Sequence, residues 1–113
     1  MRKIEQAMIA AIRAGRNWQS SNTMVRTVHA TTSGATPDAH IFLHGHLIAK
    51  YCTADGDLYI CLCGWNTPTT RSRLTALCRE FTKANGVGTK RGQAAIRYPS
   101  HDFDIGDDEW IMV

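Results

Sequence analysis

Six cations fall within residues 71–91: Arg71, Arg73, Arg79, Lys83, Lys90 and Arg91, with Trp65 just ahead of them. Guanidinium groups grip phosphate oxygens in bidentate fashion, and the glycines around Lys90 and Arg91 let a backbone approach a phosphate closely. A tryptophan beside such a set can stack on a base or anchor in a partner's pocket. The junction Gly64-Trp-Asn-Thr-Pro-Thr-Thr-Arg-Ser-Arg-Leu74 places these residues where a strand meets a helix. Thr67 can cap that helix through its hydroxyl, and Pro68 suits the first helical position because it has no N–H to lose. The helix start then offers free backbone donors and a positive dipole end to an anion. The competing reading is a solvated basic face with Trp65 buried beneath the helix.

Other residue types suggest other chemistry, with weaker spacing. His40, His44 and His46 lie near Cys52, Cys61 and Cys63 in the chain, so a zinc cluster is conceivable. No pair has the spacing of a structural zinc site, and no metal or other cofactor is expected. His101 with Asp102 or Asp104 could serve as base and orienting group for Cys63 or Ser72 as nucleophile, but no local signature supports this and no catalytic residue is assigned. Asp102, Asp104, Asp107, Asp108 and Glu109 cluster in one loop, whereas a metal-dependent nuclease needs carboxylates converging from several elements. An acidic loop could instead pair with the basic helix, protect an edge strand, or engage a basic host protein. Gly86-Val-Gly88 lacks the third glycine of a dinucleotide loop and does not open a helix.

The elements that must position these groups are readable from periodicity. Residues 3–16 read as a helix, with Ile4, Ala7, Met8, Ala11 and Ile12 forming an apolar stripe and Gly15 near its end. Residues 17–23 read as a polar connection, 24–31 as a strand and 32–38 as a turn or loop. Residues 40–44 and 47–52 are strands around a tight turn at Gly45-His46, and Asp55-Gly56 turns the chain into the strand 58–63. Leu58, Ile60 and Leu62 share one face of that strand. The second helix is predicted over 68–84. Its apolar face is Leu74, Leu77, Cys78 and Phe81, and its polar stripe is Arg71, Thr75, Arg79 and Lys83. Asn85-Gly86 stops it. A basic loop 88–92, a strand 94–98, an acidic loop and a final strand 108–113 complete the chain.

The order α-β-β-β-β-α-β-β predicts an α+β fold: an antiparallel sheet of about five to six strands with two helices packed on one face. At 113 residues one domain, 1–113, is expected. No apolar run is long enough to span a bilayer and no signal core follows the N-terminus, so a cytosolic protein with free thiols is expected. Net charge is +3 but uneven: residues 67–99 carry seven basic side chains and one acidic, while residues 100–113 carry five acidic and none basic.

The block Phe42-Leu-His-Gly-His-Leu-Ile-Ala49, the junction 64–74 and the closing Asp107-Asp-Glu-Trp-Ile111 resemble small uncharacterised proteins of tailed bacteriophages. The resemblance runs over most of the chain. It implies a phage accessory protein acting by binding in the bacterial host cytosol, and it brings no catalytic residues. The combined expectation is a non-enzymatic protein that binds nucleic acid through Trp65, Arg71, Arg73, Arg79, Lys83, Lys90 and Arg91. The alternatives are a modulator or inhibitor of a bacterial host protein using the acidic segment and Trp110, and a small metal-dependent hydrolase. An edge strand could pair two copies into a homodimer.

Overall fold

Buried apolar residues recur along the first helix at Met8, Ile9, Ala11 and Ile12, and this stripe makes α1 (Lys3–Ala14) an amphipathic lid. It ends where Gly15 adopts the left-handed conformation and its N–H reaches the last carbonyls. The computed structural model describes residues 1–29 and 38–113. The turn expected at 32–38 and the end of the strand expected to reach Thr31 therefore lie outside the described residues, except Asp38.

Among the described residues, six strands form one antiparallel sheet, each hydrogen-bonded to the next in the following order. They are β1 (Trp18–Ser20), β2 (Thr23–Val28), β3 (Asp38–Leu43), β4 (His46–Cys52), β5 (Asp57–Ile60) and β9 (Ile111–Met112). The β3–β4 turn is His44-Gly45, one residue earlier than expected. Both residues have positive φ, as a two-residue hairpin of this hand requires, and His46 therefore opens β4. Residues 17–23, expected as a polar connection, instead contain β1, an edge strand paired to β2.

The second helix, α2 (Pro68–Phe81), is capped by the Thr67 hydroxyl, which accepts the Thr70 N–H at 3.2 Å, and Pro68 takes the first turn. It stops three residues earlier than expected. Thr82 is extended, and both its N–H and its hydroxyl bond the Cys78 carbonyl, which closes the helix. Ala84, past the helix end, then enters the core.

A second sheet of three antiparallel strands follows: β6 (Gly86–Lys90), β7 (Gln93–Arg97) and β8 (Asp102–Asp104). The basic loop expected at 88–92 is thus the end of β6 plus a two-residue turn at Arg91-Gly92. Asp102 and Asp104, expected in a loop, lie on a strand paired with β7. The α+β class and the order of the expected elements stand, with β1, β6 and β8 added. The helix α2 touches the large sheet at β4 and β5 and the small sheet at β6. Met8, Val25, Ile41, Ile48, Leu58, Ile60, Leu74, Leu77 and Ile96 are fully buried where these layers meet. Each such side chain contributes about 1.5–3 kcal/mol through burial.

Candidate nucleic-acid interface

After β5 the chain reverses sharply. Cys63 and Gly64 both have positive φ, the Trp65 N–H returns to the Leu62 carbonyl at 2.9 Å, and the Gly64 N–H donates to the Asp107 carbonyl at 2.6 Å. This reversal leaves Trp65 on the outside, with 52% of its surface exposed. Its ring lies 5.4 Å from that of His46, centroid to centroid. The reading that buries Trp65 under the helix does not hold. Trp65 and His46 border a cavity of about 470 Å³, floored by Leu43 and Ile48 and closed by Thr67 and Thr69 at the start of α2.

Two residues tie this corner to the basic turn. The Asn66 side-chain amide donates to the Gly92 carbonyl at 3.3 Å, which holds the Lys90-Arg91-Gly92 turn beside the helix start. Arg71 donates through one guanidinium nitrogen to the Asn66 carbonyl at 3.0 Å and to its side-chain oxygen at 2.5 Å. Asn66, next to Trp65, thereby joins Arg71 to the turn that carries Lys90 and Arg91, both exposed.

Arg73 is not part of this surface. It is buried, with 4% of its surface exposed, and its guanidinium meets the Glu5 carboxylate at 2.8 Å, the Thr23 hydroxyl at 3.0 Å and the Asn22 side-chain oxygen at 3.4 Å. The Ser72 hydroxyl donates to the same carboxylate at 2.5 Å. Two helical positions differ by about 200° around the axis, so Arg71 and Arg73 face opposite ways. Arg79 and Lys83 are exposed at the far end of α2, where Arg79 donates to the Asn85 carbonyl at 2.8 Å. Arg79 is eight residues beyond Arg71, about 12 Å along the axis. Thr75, expected between them on the solvent stripe, is covered by β6. Its hydroxyl accepts from the Val87 N–H at 3.0 Å and donates to the Val87 carbonyl at 3.2 Å.

The acidic strand does not run to α2. Asp102 and Asp104 line a groove on the small sheet with Lys90, Arg91 and Arg97. Of the other chemistry-bearing residues, Ser72 is held by Glu5, and His101 lies against Tyr98 with its Nδ1 3.0 Å from the Ser100 hydroxyl. These two have different partners, so the base–nucleophile pairing is not assembled. Among the described residues, the group with metal-ligating atoms close together is Cys61, Cys63 and Asp108, without the histidines. Burial, the Cys61 thiol beside it and the Asp108 carboxylate push the Cys63 thiol up to about 12, and its sulfur donates to the Leu47 carbonyl at 2.9 Å. His46, Asn66 and Asp108 were not expected at these positions. The signal for His46 was the His44-Gly45 dipeptide, since histidine tolerates the left-handed conformation better than most residues.

The family model described as Kyanoviridae Gp96 protein matches residues 1–111. The chain belongs to this family. Membership of the Kyanoviridae Gp96 family bears out the tailed-phage resemblance carried by residues 42–49, 64–74 and 107–111. No curated protein and no solved structure matches the chain. The Kyanoviridae Gp96 family match covers the junction, the basic turn and the acidic segment alike. No described helix is long and apolar enough to cross a membrane.

Proposed function

We propose that this phage-family protein binds single-stranded nucleic acid at the corner where α2 begins. A base stacks on Trp65 beside His46, and Arg71, Lys90 and Arg91 contact the flanking phosphates. The observation that carries this reading is the Asn66–Gly92 hydrogen bond, which ties the turn bearing two exposed cations to the residue that follows an exposed tryptophan. A flat aromatic face with cations around it suits bases of any identity, because stacking does not read sequence. Arg79, about 12 Å along α2 from Arg71, and Lys83, past the helix end, lie too far away to share the same nucleotides.

Fluorescence anisotropy with labelled single- and double-stranded DNA and RNA, at two salt concentrations, tests this. Three phosphate contacts on a single strand predict a slope of log affinity against log salt of about −2. Trp65→Ala should weaken binding about 5- to 150-fold, the equivalent of roughly 1–3 kcal/mol of stacking. Lys90→Ala/Arg91→Ala should flatten the salt slope, and Arg79→Ala/Lys83→Ala should leave it unchanged. Absence of binding at low salt, or binding indifferent to salt, would sink the proposal.

A second reading has its own observation. Trp110 and Met112 are exposed at the edge strand β9, where the Lys50 ammonium lies 4.9 Å from the Trp110 ring centre. An exposed edge with an aromatic anchor suits a protein partner such as a host factor. Truncation after Pro99 cannot test it, because Ile105 is a core residue and β9 pairs with β5. Trp110→Ala is the cleaner probe: loss of capture of a host protein, with nucleic-acid binding retained, would favour this reading.

A further inference from the structure

The reversal that exposes Trp65 also gathers three donor atoms. The sulfurs of Cys61 and Cys63 and a carboxylate oxygen of Asp108 all lie within 4.8 Å of one another. Two of the three come from one turn and the third from a segment 45 residues away, so chain proximity alone does not explain the cluster. Main-chain geometry holds it. The left-handed backbone at Cys63 and Gly64 folds the second thiol back over the first, and the Cys63 N–H points at the Cys61 sulfur at 3.3 Å. The Gly64 N–H, in turn, fixes the acidic segment through the Asp107 carbonyl at 2.6 Å, one residue before the carboxylate.

We propose that Cys61, Cys63 and Asp108 form a binding site for a borderline-soft divalent cation of the zinc class. The donor set is two sulfurs and one oxygen, with a fourth position open to water. Two thiolates disfavour magnesium and calcium, which take oxygen ligands, and they suit zinc. Around a tetrahedral zinc with bonds of about 2.3 Å to sulfur, two sulfurs sit about 3.8 Å apart, so the donors need to draw together by at most about 1 Å, with the Cys63 sulfur giving up its bond to the Leu47 carbonyl. Cys61 is fully buried and Asp108 is exposed, which gives the site a dry floor and an open mouth. Binding releases the thiol protons to solvent and involves no change of oxidation state. The site is independent of the nucleic-acid reading, since none of its three residues is assigned a contact there.

The test is a cobalt(II) titration of the full chain, kept reduced with a phosphine, followed by displacement with zinc. One equivalent should produce a thiolate-to-cobalt charge-transfer band and tetrahedral ligand-field bands, both erased by zinc. Cys63→Ser should remove the charge-transfer intensity at one equivalent. Asp108→Asn, a change on an exposed loop, should keep the band but weaken cobalt affinity at least tenfold. Cys52→Ser should change nothing, and circular dichroism confirms that each variant is folded. The site is refuted if the reduced wild-type chain gives no stoichiometric band, if the band persists in Cys63→Ser, or if Asp108→Asn binds as tightly as wild type.

Discussion

Arg73 and Arg71 show how far two residues of one type can differ within a single helical turn. Arg73 is paired with a buried carboxylate from another helix and satisfies a hydroxyl on β2 as well. Removing one member of a buried pair leaves the other charge without a partner, at a cost of about 3–5 kcal/mol. Arg73→Ala should therefore lower the denaturant midpoint sharply. Arg71→Ala, which removes a half-exposed clamp on Asn66, should barely move it. A variant combining both reports on folding rather than on binding. The distinction was legible in the spacing, because Arg71 and Arg73 lie on opposite sides of any helix. That Glu5 is the partner was not legible, since nothing in the first helix marks a glutamate as buried. At the same scale, His40 on β3 faces Arg26 and Lys50 across the sheet. Burial lowers its pKa below the usual 6.5, the Lys50 charge lowers it further, and Asp38 opposes them. The unfolded chain thus binds its proton at higher pH than the folded one. Stability should fall as pH drops below about 6.5 toward the folded value. A proton NMR titration should find the His40 ring titrating below 6.5, and Lys50→Gln should raise that value.

At the scale of elements, α2 was the most legible part of the chain and β1 and β8 the least. The α2 start is written locally in Thr67 and Pro68, and its apolar face in Leu74, Leu77 and Cys78. Thr67→Ala should cost about 1 kcal/mol through the lost cap, read as a lower midpoint in thermal unfolding. The strands β1 and β8 are three polar or mixed residues each, with no alternation to read. They exist because a neighbouring strand presents free backbone groups. The place where β6 crosses α2 depends on Gly86. A Cβ there would sit 2.5 Å from the Thr75 methyl carbon, and its φ of 147° is one that side chains rarely adopt. Gly86→Ala should destabilise by more than about 1 kcal/mol. It should also loosen the Thr75–Val87 hydrogen bonds, measured as faster amide exchange at Val87. The sequence marked Asn85-Gly86 as a helix stop, but the same glycine is also a packing requirement, which spacing alone does not reveal.

Across the whole molecule, the fold class was readable and the division into two sheets was not. Alternation says which face of a strand is buried, but not which strand lies beside it. The basic segment 67–99 was legible as a charge excess. Its separation into a buried arginine, a corner and a far end is set by tertiary packing, which charge counts do not carry. The buried pair of Glu5 and Arg73 also has a consequence in time. They lie 68 residues apart in the chain. At a synthesis rate of about 5–20 residues per second, the carboxylate on the first helix precedes its guanidinium by roughly 3–14 s. During that interval α1 has neither its ion-pair partner nor the α2 side chains that complete the core. The first helix can therefore pack on β1 and β2 as soon as they are made, while its buried carboxylate waits for α2 to supply the matching charge.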